Sequence, residues 1–100
     1  MKKYDVKYHI EVKNDIFEAK KWYKNQFDGL EKRFAAEIKS GINQLSINPK
    51  YFQKKYKNIR VFYTSVFPFS IYYDFDDFST IIILGIFHTS RNPEIFKKRL

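Results

Sequence analysis

The sequence predicts an α+β domain: an N-terminal strand, an antiparallel helical hairpin packed on a largely antiparallel β-sheet in the order β-α-α-β-β-β, and a short C-terminal helix. Three observations carry this. Apolar residues recur at three- and four-residue steps from Ile16 to Leu45, interrupted at Asp28-Gly29, the pattern of two amphipathic helices joined by a tight turn. Phe67, Phe69, Ile71, Tyr73 and Phe75 fall on one face of an extended chain, with Ser70, Tyr72 and Asp74 on the other. Ile81-Ile-Ile-Leu-Gly-Ile-Phe87 is a short apolar run, rich in β-branched residues and closed by a polar turn, which reads as a buried strand.

Taken in order, Val6, Tyr8, Ile10 and Val12 alternate with Asp5, Lys7, His9 and Glu11, so the first strand is expected to continue to Val12 with His9 facing outward. Asn14 or Asp15 supplies a cap for the first helix, whose stripe is Ile16, Ala19, Tyr23 and Phe27, widened by Trp22. The second helix sets Leu30, Phe34, Ile38, Ile42 and Leu45 on one face. Gly41 within it costs about 1 kcal/mol relative to alanine, which points to the close approach of a neighbour. Asn48-Pro49 ends this helix, because the residue before a proline is pushed away from helical angles.

Lys50 to Asn58 is basic and aromatic. Such interleaving suits nucleic-acid contact, with ammonium groups on phosphates and rings on bases, and equally a loop whose aromatics tuck beneath the sheet. Ile59–Ser65 and Phe67–Phe75 follow as strands, and Asp76-Asp77-Phe78-Ser79 turns the chain into the final one. Asn92-Pro93-Glu94 then offers an N-cap, a proline at the first helical position and an acid in the first turn of a short basic helix. With the helical hairpin on one face of the sheet, the other face is expected to be free for function.

One domain, 1–100, accounts for the whole length, and its 20% aromatic content supplies much of the apolar area for a core. The absence of cysteine excludes disulfides and thiolate metal sites and suits a reducing cytosol. Met1-Lys-Lys-Tyr-Asp-Val lacks the apolar core of a signal peptide, and no apolar run approaches the ~18 residues of a membrane helix, so a soluble, intracellular protein is expected. A formal charge of +8 attracts polyanions: nucleic acid, the ribosome, an acidic protein or an anionic membrane surface. The charge gathers at Lys50, Lys54, Lys55, Lys57 and Arg60 and again at Arg91, Lys97, Lys98 and Arg99. His9 and His88 lie on separate strands, and Asp74-Phe-Asp-Asp77 lacks the length and glycine of a calcium loop. No metal or cofactor is therefore expected.

The chain resembles the RelE/ParE superfamily of bacterial type II toxin–antitoxin toxins, in particular its ParE-like, plasmid stabilisation branch. The resemblance rests on Asp15-Ile-Phe-Glu-Ala19 with Trp22-Tyr23, Gly29-Leu30 with Phe34, and Asn48-Pro49. It continues through Ile59-Arg60, Phe67-Pro-Phe-Ser-Ile-Tyr-Tyr73, and Phe87-His88 followed by Arg91-Asn-Pro93, in the family's order and over nearly the whole length. It implies a cytoplasmic bacterial toxin that arrests growth and is neutralised by a cognate acidic antitoxin wrapping its surface. Some members cut messenger RNA in the ribosome, whereas ParE itself poisons DNA gyrase without chemistry of its own; an inactive binding module is a further alternative.

If the chain is a ribosome-dependent endoribonuclease, attack by a ribose 2′-hydroxyl needs a proton acceptor, a donor for the leaving oxygen and cations against the phosphate. The catalytic candidates are His88 as acid or base and Arg60 and Arg91 as a phosphate clamp. Tyr72, Lys54, Lys55, Lys97, Lys98 and Arg99 are the candidates for nucleic-acid or target contact. Each has a quieter structural alternative: His88 as a hydrogen-bonding strand end, Arg91 paired with an acid, Tyr72 in packing. Ribosome-dependent relatives commonly place a tyrosine near the chain's end, where this chain has Phe96, which cannot transfer a proton.

Overall fold

The computed structural model describes residues 3–100. Strand β1 (Asp5–Tyr8) is followed by helices α1 (Val12–Gln26) and α2 (Leu30–Ile47), then β2 (Lys54–Tyr56), β3 (Ile59–Tyr63), β4 (Phe69–Phe75), β5 (Thr80–His88) and a C-terminal 3-10 helix, Pro93–Arg99. The strands form one mixed sheet in the order β1-β5-β4-β3-β2. Among the described strands only the β1–β5 pair is parallel; the helical hairpin carries the chain from β1 to the opposite edge, and β2 to β4 then return it antiparallel to β5 beside β1. The expected α+β architecture is therefore present.

The alternation that extends β1 to Val12 breaks four residues earlier. After Tyr8 the chain turns: the Val12 amide donates to the His9 carbonyl at 3.0 Å, and His9 Nδ1 accepts the Glu11 amide at 3.1 Å. This turn leaves Ile10 87% exposed and makes Val12 a buried residue of α1 rather than of the strand. Neither Asn14 nor Asp15 caps α1, since the helix starts before both, at Val12. Its stripe also ends sooner than expected, because Phe27 follows the last helical turn in extended conformation and is exposed. Gly29 permits the tight joint to α2 by adopting φ 93°, a left-handed conformation that side-chain-bearing residues rarely take.

The first core lies between the helical hairpin and the sheet, with Tyr23, Phe34, Ile38, Leu45, Phe69, Ile71 and Tyr73 at its centre. Gly41 is where α2 meets the sheet: a Cβ there would stand 2.9 Å from the Phe62 ring, which accounts for a glycine inside a helix. Tyr73 is fully buried and donates its hydroxyl to the Pro49 carbonyl at 2.7 Å, joining β4 to the end of α2. Burial pushes its phenol pKa up to about 12. Because the folded-state value lies above the usual ~10, this stabilisation is complete below pH ~10 and is lost as pH rises through about 12. Circular dichroism across that window should show alkaline unfolding in the wild type, and Tyr73→Phe should move the transition upward. An unmoved transition would assign alkaline unfolding to other groups.

The opposite sheet face is not free for function, as the single-sided reading held. Ile59, Val61, Tyr72, Leu84, Phe87 and Phe96 form a second buried cluster there, roofed by the C-terminal 3-10 helix. Apolar residues on both faces of β3 and β5 require this second cover. Asn92 caps the segment as expected, its side chain accepting the Glu94 amide at 2.9 Å. The stretch 50–58 also departs from a plain loop, because Lys54–Tyr56 pairs with β3 as a short edge strand.

Candidate functional site

A bulge determines what the end of β5 presents. Tyr72 is opposite Gly85 and Tyr73 opposite Ile83, so Leu84 is an extra residue on β5. Past it the alternation changes phase: Ile81 and Ile83 belong to the first core, but so does Ile86, while Phe87 joins the second. His88 consequently pairs with Phe69, whose ring it meets edge-on at 5.4 Å on the helical side of the sheet. Gly85 sits at this bulge because a Cβ would lie 2.5 Å from the Phe87 ring.

His88 and Arg91 line a cleft of about 390 Å³ between the end of β5 and α1, together with Glu18, Trp22, Tyr23 and Phe69. His88 Nδ1 accepts the Ser90 amide at 3.1 Å and lies 2.7 Å from Ser90 Oγ. Accepting that amide fixes the neutral ring as the Nε2–H tautomer. Nε2 has no protein partner among the described residues. The Arg91 amide donates to the His88 carbonyl at 3.0 Å, and its guanidinium lies 5.4 Å from the centre of the Phe87 ring. Trp22 is 59% exposed and packs edge-on against Tyr23 at 5.1 Å, offering an indole face at the cleft's margin.

Asp15, expected as a helix cap, forms the inner wall of this cleft instead. Its carboxylate takes both arms of Arg99, at 2.6 and 2.9 Å, and also accepts the Ile86 amide at 3.1 Å. Arg99 donates further to the Leu84 carbonyl and rests 4.6 Å from the centre of the Phe87 ring. This pair with Asp15 raises the guanidinium pKa. Arg99 is thus a latch fastening the 3-10 helix to α1 and β5, rather than a side chain presented to a target. Only its charge was legible in the sequence; its partner lies 84 residues away.

Arg60 does not join this group. It pairs with Tyr73 across β3 and β4, whereas His88 pairs with Phe69, four residues along β4. That separation is roughly 13 Å along the strand, with two inter-strand spacings added across it. Its Nη1 donates to the Phe52 carbonyl at 2.6 Å, and its guanidinium lies 5.6 Å from the centre of the Phe75 ring. Lys54 shares a second, polar cleft with Arg60, lined also by Asp74, Asp76 and Asp77. Asp76 there closes the β4–β5 turn by accepting the Phe78, Ser79 and Thr80 amides, which hold its carboxyl below the usual range.

Tyr72 is buried with its ring stacked on Phe96 at 4.6 Å and 17°, so the face expected to meet a base is covered by the chain's own phenylalanine. Burial raises its phenol pKa, with Tyr63 adding to the effect. The two basic clusters do converge on this side: Lys97 lies 4.2 Å and Lys57 5.4 Å from the centre of the Tyr56 ring. Lys97 also pairs with Glu94 at 2.9 Å, while Lys55 and Lys98 are exposed.

Among the described residues no group of acids and histidines is arranged to hold a metal, and no helix is long and apolar enough to cross a membrane. A broad groove of about 980 Å³ runs between β1 and α2, floored by Tyr4, Val6, Ile38 and Ile42. β1 pairs on one side only, with β5, so its other edge borders this groove.

No curated protein matches the sequence. The fold is similar to a solved chain of the RelBE2 toxin–antitoxin complex from Mycobacterium tuberculosis, with a TM-score of 0.60 and 16% identity over 87% of this chain and 99% of that one. The family model for the ParE toxin of the type II toxin–antitoxin system, parDE, matches residues 6–93. With the model spanning nearly all the strands and helices described above, this chain belongs to the ParE toxin family of type II toxin–antitoxin systems.

Proposed function

We infer that this toxin arrests growth as a binding poison without chemistry of its own, with DNA gyrase as its target, and that a co-expressed acidic antitoxin neutralises it. The observation carrying this reading is the dispersal of the candidate catalytic and target-contact residues, of which only His88 and Arg91 share the cleft. Arg60 is held at Phe52 beyond the cleft, Tyr72 is stacked under Phe96, and Arg99 is committed to Asp15. A ribonuclease site would need a base, an acid and phosphate-binding cations converging within hydrogen-bond reach of one scissile bond. Docking requires only a rigid surface with a few anchors, and Trp22 beside Arg91 has the residue types that dominate such interfaces. For the antitoxin, the apolar groove beside β1 and the +8 charge of the chain favour an acidic segment with apolar side chains.

A second reading, ribosome-dependent cleavage of messenger RNA, is supported by the free Nε2 of His88 beside Arg91 in one cleft. Induction of the toxin should separate the two. The gyrase reading expects growth arrest with an SOS response and accumulation of gyrase cleavage complexes, reversed by the antitoxin. Cleavage at ribosome-occupied codons without DNA damage would replace it with the second reading. Failure of well-folded protein to arrest growth would sink both.

A further inference from the structure

We propose that the solvent face of α1 is a docking ridge for the phosphate backbone of duplex DNA, carried by Lys13, Lys20, Lys21 and Lys24. At 100° per residue these four lysines and Phe17 fall within an arc of about 100°, and Lys13 to Lys24 spans about 16 Å of helix axis. All four are exposed and, among the described residues, none is within ion-pair distance of a carboxylate. The acids of α1 lie elsewhere: Asp15 turns inward to Arg99, and Glu18 lines the His88 cleft. Lys20 with Lys24, and Lys21 with Lys24, repel at four- and three-residue spacings, and Glu18, three residues before Lys21, forms no ion pair with it. The shallow groove along this face holds one acid, Glu31, whose Oε1 accepts the Gly29 amide and whose Oε2 is buried.

Duplex DNA suits this ridge better than a protein helix or a membrane. A helix docking in a groove needs a row of apolar anchors at successive turns, and an interfacial helix needs a whole apolar face. This arc exposes a single large apolar side chain, Phe17 at 60%, ringed by ammonium groups. Lysines on flexible stems neutralise phosphates as point charges without reading sequence.

The test is fluorescence anisotropy of the full-length toxin with a labelled duplex of about 20 base pairs over a salt series. The variant Lys13→Gln/Lys20→Gln/Lys21→Gln/Lys24→Gln is compared with Lys54→Gln/Lys55→Gln/Lys97→Gln/Lys98→Gln, which removes the same charge elsewhere. Circular dichroism checks that both variants fold. The ridge variant should bind at least about tenfold more weakly at moderate salt, with the slope of log K against log salt shallower by about 3.6, that is, about 0.9 for each of four phosphate contacts. The other variant should retain most of both. Equal losses in the two variants would mean that net charge alone binds DNA, and unchanged binding by the ridge variant would place the contact elsewhere; either result overturns the proposal. Loss of binding to anionic phosphatidylserine vesicles, with duplex binding intact, would assign the ridge to membranes and overturn it too.

Discussion

Asp15→Ala is expected to destabilise the fold by about 3–5 kcal/mol, because it strands a mostly buried guanidinium without its counter-charge. The side chains of Asp15 and Arg99 are only 6% and 14% exposed, so water cannot replace the lost partner cheaply. The same substitution removes the acceptor of the Ile86 amide on β5. Set against the 5–15 kcal/mol typical of a folded domain, such a loss is a large share of the total. Arg99→Ala should cost a similar amount from the other side, leaving a buried carboxylate. The double variant should be less destabilised than the sum of the two, since neither charge then remains unpaired. Urea unfolding followed by circular dichroism measures all three. Single-variant losses below about 1 kcal/mol, or strict additivity, would mean that the ion pair does not fasten the C-terminal segment.

That pair also marks where the sequence stops being legible. Local patterns carried most of the fold: the two helical stripes, the alternation of β4, the Asn92 cap and the close approach at Gly41 are all written within a few residues. The overrun of β1 shows the limit of such patterns. Period-two alternation continues through Ile10 and Val12, but His9 caps a turn and sends Ile10 into solvent. The occupied second face of the sheet had a visible signal, since Leu84 and Phe87 in the run 81–87 and Ile59 and Val61 in β3 make both faces apolar. The bulge at Leu84, which aims His88 toward α1, had only Gly85 as a clue. Of the candidate site, His88 and Arg91 share a cleft, while Arg60 pointed to the same place only because sequence order cannot measure distance across a sheet.

Growth arrest by three single variants is expected to divide accordingly. On the docking reading, Arg91→Ala should weaken arrest by about thirtyfold or more, because an arginine lining the cleft is the kind of anchor whose truncation costs about 2 kcal/mol or more. Its contact with the Phe87 ring is on the surface, so the fold should persist. Arg60→Ala should leave arrest nearly intact wherever the protein remains folded, since that side chain holds Phe52 at the far end of the sheet. His88→Gln is the decisive member of the set. Glutamine retains a hydrogen-bonding side chain of similar reach but cannot shuttle a proton near neutral pH, so a docking role survives it to within about twofold, whereas general acid–base catalysis would lose roughly 10²–10⁴. Dose–response measurements of arrest against toxin level, with folded protein quantified in each strain, read these ratios. A hundredfold loss in His88→Gln with Arg91→Ala equally impaired would make the cleft a site of chemistry, and the binding-poison reading would then give way to cleavage of RNA.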